Sequence, residues 1–350
     1  MNGRQPDEGA TFPPDTGARR RPAFAVRNPR VIGLLIAIFL VGMSFSIVNP
    51  NFLTVRNMLG MVRAMSSLGL LALGLTLVII VGELDLSIGA IYGFTAMLAG
   101  TVWIDGVHVV PALLIGLGAG VFVGFLNAAL TTWAGIPSFI VTLGMLNAVE
   151  GMTLLISGAR GINPKYAEPP VPAGEWDIFR ALGATKLPLD IPVQVVWLLG
   201  LAILFWVLLH RTLFGFRLAA IGSNTPAARA ARLSITRHKF IVFMLGGAMA
   251  AAAGMLDFSF LGSTDPSAGR SLLFPVFAAV IVGGATLTGG RATIIGTIVG
   301  ALLLSVLSNG LSIIGVGAFA KSIFIGTATI GAVMLDRFTY RKRARPGQAP

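Results

Sequence analysis

Cysteine is absent from this 350-residue chain, so disulfides and thiolate chemistry are excluded and redox usage carries no information on compartment. Charge is scarce: Asp, Glu, Lys and Arg make up 11% of the residues, against about 25% in soluble domains. The three histidines, His108, His210 and His238, are far apart and fall near the ends of apolar runs, without metal-ligand spacing. They read as edge residues. No Gly-x-x-x-x-Gly-Lys-Ser/Thr stretch occurs, so the chain is not expected to bind or hydrolyse ATP by itself. Glycine pairs such as Gly289-Gly290 lack the lysine and suit a tight turn instead. Without a Ser/His/Asp constellation, paired catalytic acids or a metal cluster, neither an enzyme nor a cofactor in this chain is expected.

Apolar side chains are abundant: 55% of the residues are hydrophobic and the mean hydropathy is +0.84. Runs long enough to cross roughly 30 Å of hydrocarbon recur from end to end. They predict ten spans, at 31–48, 60–82, 86–104, 109–131, 136–157, 191–209, 240–260, 272–287, 293–310 and 317–335. The expected fold class is therefore an all-α polytopic membrane protein in a lipid bilayer, with some spans short or broken. The 44 glycines suit close helix packing and permit such breaks.

The formal charge of +12 is explained by membrane orientation rather than by nucleic acid. Basic residues cluster in the first thirty residues (Arg4, Arg19, Arg20, Arg21, Arg27, Arg30), between spans six and seven (Arg211, Arg217, Arg229, Arg232, Arg237, Lys239), and in the tail (Arg337, Arg341, Lys342, Arg343, Arg345). An even number of spans puts these on one face, so both termini are expected to be cytoplasmic. Residues 1–30 read as a disordered tail, 31–336 as the membrane domain and 337–350 as a basic tail. The loop 158–190, proline-rich and balanced in charge, lies on the opposite face as a docking surface or a connector.

Several polar residues interrupt the apolar runs. In Val81-Gly82-Glu83-Leu84-Asp85-Leu86-Ser87-Ile88-Gly89, two carboxylates sit between spans two and three. Either Asp85 caps span three, or the acids, with Ser87, lie in a buried break beside a solute path. Glu150 falls mid-span, where it needs hydration or a partner such as Arg63 or Lys321. Asn127, Asn147 and Asn309 read as interhelical hydrogen-bonding amides or as pathway groups. In the loop 210–239, Thr225 suits an N-cap and Pro226 the first helical position, predicting a short helix to Leu233 that carries Arg229 and Arg232. Its apolar face is mostly alanine (Ala227, Ala228, Ala231). Such a face grips lipid poorly and fits a protein cleft, although a helix resting on anionic lipid is the alternative.

The Glu83–Gly89 segment resembles the permeases of the ribose, xylose and arabinose import systems, whose usual text is Gly-Gly-Ile-Asp-Leu-Ser-Val-Gly. The resemblance continues through Gly135-Ile136-Pro137-Ser138-Phe139-Ile140-Val141-Thr142-Leu143-Gly144, Gly215-Phe216-Arg217, Ala220-Ile221-Gly222-Ser223-Asn224, Pro266-Ser267-Ala268-Gly269 and Ala279-Val280-Ile281-Val282-Gly283-Gly284-Ala285-Thr286-Leu287-Thr288-Gly289-Gly290, covering about residues 50–336. It implies the permease subunit of an ATP-driven importer for a monosaccharide or similar small polar solute. Implied partners are cytoplasmic ATP-binding subunits, an exterior solute-binding protein and a second permease copy, with residues 225–233 as the helix that docks on the ATPase. Three departures stand out: Val149-Glu150-Gly151 replaces the family's Tyr-Arg-Gly, Ala159-Arg160-Gly161-Ile162 its Gly-Arg-Pro-Ile, and Leu273-Phe274-Pro275-Val276 its Glu-Leu-Asp-Ala. A branched-chain amino-acid permease of the same kind and an ion-coupled secondary transporter are the competing classes.

Overall fold

The structure, a computed structural model, describes residues 29–343. The expected N-terminal tail up to residue 28 and the segment 344–350 lie outside the described residues. Thirteen α-helices and no strands are present among those described: α1 (Pro29–Val48), α2 (Val55–Ile80), α3 (Ile88–Ile104), α4 (Val109–Thr132), α5 (Ser138–Ser157), α6 (Ala173–Gly183), α7 (Val193–Arg211), α8 (Leu213–Ser223), α9 (Thr225–Ala230), α10 (Ile235–Leu261), α11 (Leu273–Val282), α12 (Ile294–Ile313) and α13 (Ala318–Arg343). This is an all-α polytopic membrane fold. α1, α2, α4, α5, α7, α10 and α12 are each long and apolar enough to cross a membrane.

Of the other three expected spans, α3 covers 88–104 of the expected 86–104, whereas α11 and α13 differ from the expectation. With ten residues, α11 is about 15 Å long, roughly half the hydrocarbon thickness. The span predicted over 272–287 is therefore a half-helix that follows a non-helical stretch, 262–272. α13 continues to Arg343, so the separate tail expected from 337 is helical for seven residues.

α2 forms the centre, with its apolar window almost wholly buried, whereas that of α1 is hardly buried. α10 lies against α2, α3 and α4; α12 lies against α1, α2 and α11; α5 packs on α3 and α4. α4 and α10 meet backbone to backbone. A Cβ on Gly120 would stand 2.6 Å from the Gly247 carbonyl oxygen and 2.8 Å from Ala251 Cβ, so only glycine permits this approach.

The loop 158–192 is more than a connector. Its helix α6 docks on the bundle through Glu175, whose Oε2 accepts from Trp103 Nε1 at 2.9 Å and from the Val109 N–H at 2.8 Å. Arg180 donates to the Ser259 carbonyl at 2.6 Å and also to that of Phe260. Phe179 is fully buried among Trp103, Trp176 and Phe258. The bundle thus has a capped end, under this loop, and a basic end, which carries α8, α9 and the residues up to Lys239.

A matched pair of substitutions tests the α4–α10 contact. Gly120→Val is expected to destabilise the purified protein by about 1–3 kcal/mol through overpacking. Gly118→Val, at a position where a Cβ meets nothing within 4 Å, should leave thermal unfolding unchanged.

Candidate functional site: two breaks in the bundle

The first break, 81–87, joins α2 to α3 at the basic end. Gly82 turns the chain with φ +85°. Glu83 then ion-pairs with Lys239 of α10. Leu84 is held on both sides by α5: its N–H donates to Ser138 Oγ at 3.1 Å, and its carbonyl accepts from Thr142 Oγ at 3.3 Å. Asp85 is fully buried, and its Oδ1 accepts from the Ser87 N–H at 2.9 Å and from Ser87 Oγ at 2.6 Å. Asn127 Nδ2 donates to Ser87 Oγ at 2.9 Å.

Asp85, Ser87 and Asn127 therefore form one buried polar cluster, while Glu83 turns away to the basic end. The capping expectation needs correction. The N-cap position of α3 is Ser87, and Asp85 fastens the turn before the helix rather than the N–H groups of its first turn. Asp85 Oδ2, Asn127 Oδ1 and Thr131 Oγ1 are buried without a hydrogen-bond partner among the described residues.

The second break, 262–272, precedes α11. The Ile162 N–H donates to the Thr264 carbonyl at 2.8 Å and the Thr264 N–H to that of Ile162 at 2.9 Å, pinning the break beneath the capping loop. Gly269, at φ +89°, then passes against α3, where a Cβ on Gly89 would lie 2.7 Å from the Gly269 carbonyl oxygen. Arg270 follows, donating from Nε to Glu150 Oε1 at 3.1 Å and from Nη2 to Oε2 at 2.8 Å. Glu150 is thus paired with neither Arg63 nor Lys321, the partners expected from sequence. Arg63 faces Asp257 at 3.5 Å, and Lys321 donates to Ser312 Oγ at 2.8 Å.

The remaining amides separate. Asn147 donates to Leu143 of its own helix and is exposed on the same side of α5 as the Glu150–Arg270 pair. Asn309 exchanges reciprocal hydrogen bonds with Asn57 at 2.9 and 3.0 Å, stapling α12 to α2 away from both breaks.

A second polar group was missed by sequence reasoning. Tyr92 Oη donates to Asp257 Oδ2 at 2.7 Å, Gln194 Nε2 donates to the Leu256 carbonyl at 3.0 Å, and Arg63 lies 4.0 Å over the Phe260 ring. The available signal was Asp257, a lone carboxylate near the end of the apolar run 240–260.

At the basic end α8 is an addition to the expected elements and α9 is shorter than expected. The N-cap of α9 is Asn224, whose Oδ1 accepts from the Ala227 N–H at 3.0 Å, and not Thr225, whose hydroxyl donates back to the Ile221 carbonyl at 2.8 Å. Pro226 takes the second helical position. The helix stops at Ala230, and Arg232 adopts φ +57°, so it does not reach Leu233. Ala228 faces the protein and is buried, whereas Pro226, Ala227, Arg229, Ala230, Ala231 and Arg232 are exposed. The preceding helix is seated on the first break. The Gly290 N–H donates to the Ile80 carbonyl at 2.8 Å, and Gly222 of α8 packs against both residues.

Residues 57–333 match the family described as branched-chain amino acid transport system / permease component. The chain is 35% identical over 309 residues to the ribose import permease protein RbsC of Bacillus subtilis (strain 168), covering 87% of this chain and 92% of that protein. It is 31% identical to RbsC of Escherichia coli (strain K12), covering 90% and 94%, and 34% identical to the autoinducer 2 import system permease protein LsrD of Enterobacter sp. (strain 638), covering 86% and 90%. No solved structure matches the chain. With the match spanning most of its helices and both breaks, the chain belongs to this family of transport-system permease components, alongside the ribose import permeases.

Proposed function

We propose that this chain is the membrane-spanning subunit of an ATP-driven importer for a monosaccharide or similar polyol in a bacterial inner membrane. Two copies enclose the path, separate cytoplasmic subunits hydrolyse ATP, and an exterior binding protein delivers the solute. The substrate class follows the ribose and autoinducer 2 import permeases to which the chain is similar. The basic end, with both termini, faces the cytoplasm in keeping with the excess of Arg and Lys there.

The observation that carries this reading is the Glu150–Arg270 pair. Glu150 lies twelve residues into α5, about 18 Å along it, well inside the hydrocarbon depth. Yet Arg270 is 62% exposed on its side chain. A guanidinium exposed at that depth, even with its carboxylate partner largely covered, faces water or another protein surface rather than lipid. The side of α5 carrying Asn147 and Glu150 is therefore the side that meets the path and the second copy. The same contact accounts for two departures from the family text: the carboxylate at 150 finds its cation in the chain segment just before the stretch that lacks the family's acids.

At the basic end, α9 is the element that takes up ATPase movement. It is capped by Asn224 and follows directly on α8, which is seated on Ile80 and Gly290, while its small outer face remains open. Motion of this loop reaches the first break by two routes, from α8 to Ile80 and from α10 through Lys239 to Glu83. Such rigid-body motion is a common way of switching between two states. Asp85, Ser87 and Asn127 act as the fixed lining that keeps the break from unravelling, and along the path itself solute contact falls to the α5 side.

Two outcomes are expected. Ala230→Trp, on the open face of α9, should abolish stimulation of ATP hydrolysis by loaded binding protein and abolish uptake, with expression and thermal stability unchanged. Survival of both activities with the ATPase bound removes α9 from the coupling role. Arg270→Glu and Glu150→Arg should each reduce uptake, and the double exchange should restore it, with a coupling energy of about 0.5–3 kcal/mol in the cycle. Additive losses contradict the pairing.

A further inference from the structure

Beside the second break, under the capping loop, lies a cavity of about 350 Å³, within the roughly 300–1,000 Å³ of small-molecule sites. Its polar lining comes from Tyr92, Asn163, Asp257, Ser263, Thr264 and Asp265. These groups sit on four parts of the chain, α3, the capping loop, α10 and the α10–α11 connection, and the paired backbones of Ile162 and Thr264 hold the capping loop and the connection in register.

The charges in the cavity are managed. The Asp257 carboxylate accepts from the Tyr92 hydroxyl and lies 3.5 Å from Arg63, so its charge is matched from within the bundle. Asp265 accepts at Oδ1 from the Ser267 hydroxyl at 2.5 Å and from the Ser267 N–H at 2.8 Å. These two bonds, the hydroxyl first, hold it below the usual carboxylate range and keep it ionised. A carboxylate offers about four lone-pair positions, and the Ser267 bonds engage only one of its oxygens. Among the described residues no group of three His, Cys, Asp or Glu could hold a metal ion, and an anion meets two carboxylates here.

What the lining does fit is a ring of neighbouring hydroxyls. Carboxylate oxygens accept from adjacent O–H groups, the Asn163 amide and the Ser263 and Thr264 hydroxyls both donate and accept, and Phe258 and Leu261 give an apolar wall for C–H faces. We infer that this cavity is a docking site, within each permease copy, for a neutral polyhydroxylated solute of monosaccharide size on its way from the exterior to the path. The inference rests on the importer reading above and assigns the solute a place that reading does not need.

The absence of cysteine makes the test clean. Ser263→Cys, and as a control Tyr166→Cys on the exposed part of the capping loop, are introduced singly into the permease with its ATP-binding subunits in nanodiscs. Labelling by a maleimide is timed with D-ribose, D-xylose, D-arabinose or L-leucine present, and uptake of the same four is measured in proteoliposomes with the binding protein. A sugar that is transported should slow labelling at Ser263→Cys and leave Tyr166→Cys unaffected. Adding Asp265→Asn, which keeps the acceptor for the Ser267 turn, should raise the half-protecting concentration roughly tenfold through loss of a charged acceptor. If a transported sugar leaves Ser263→Cys labelling unchanged, or if Asp265→Asn does not alter protection, the cavity is not the site while the importer reading stands. If none of the sugars is transported, the importer reading fails and this inference falls with it.

Discussion

A backbone N–H or C=O left without a partner in hydrocarbon costs several kcal/mol. That constraint decides where this chain is free to leave the helix, and the two breaks meet it with specific groups. Leu84 has its N–H and carbonyl taken by Ser138 and Thr142. Thr264 exchanges both backbone bonds with Ile162. The Gly290 N–H is taken by Ile80. Each break is thus built by a neighbouring element, and it persists only while that neighbour stays in place. A bundle of unbroken helices would be stable without these contacts; one with a half-helix such as α11 depends on them.

The breaks also gather the charged groups. Outside them the buried interior among the described residues is mostly apolar, and its polar side chains either return to their own helix, as Thr95 and Thr153 do, or join two helices, as in Thr76–Thr297, Gln194–Leu256 and Ser259–Phe179. At them lie Lys239–Glu83, Asp85 and Glu150–Arg270, with Arg63–Asp257 under the capped end. Each ion pair links two elements that are distant in sequence, so a shift of one element is felt by the other. Movement entering at α9 therefore has a short physical course: from α8 to the end of α2, and from the start of α10 to Glu83. The Gly89–Gly269 contact then joins the start of α3 to the second break.

Much of this was legible in the sequence, for reasons that differ by element. Long apolar runs located the seven helices long enough to cross, because hydrocarbon thickness sets run length. Residues 272–287 were read as a full span since nothing in their composition reveals that the stretch before Leu273 runs through turns rather than a helix; that depends on the contacts of Gly269 and Arg270. α8 escaped notice because Leu213–Ser223 carries no periodic polar face, and its position depends on Gly222 reaching Ile80. Asn224 and Thr225 are both good capping residues, and only the backbone direction, with Asn224 extended, decides between them. The partners of Glu150 and Asp257 lie 120 and 194 residues away along the chain, distances no local pattern encodes. Asp85, Ser87 and Asn127 were each singled out, and the hydrogen bonds between them follow from α4 crossing the first break.

The central claim is that this subunit transmits ATP-driven movement to a path for a small polyol, in contrast to a transporter that carries its own ion coupling. Uptake of labelled monosaccharides into proteoliposomes that contain the permease, its ATP-binding subunits and its binding protein tests this most directly, with and without ATP and with and without proton and sodium gradients. The account predicts uptake that requires ATP and the binding protein and is indifferent to collapse of both gradients. Uptake that follows an ion gradient and persists without ATP would contradict it.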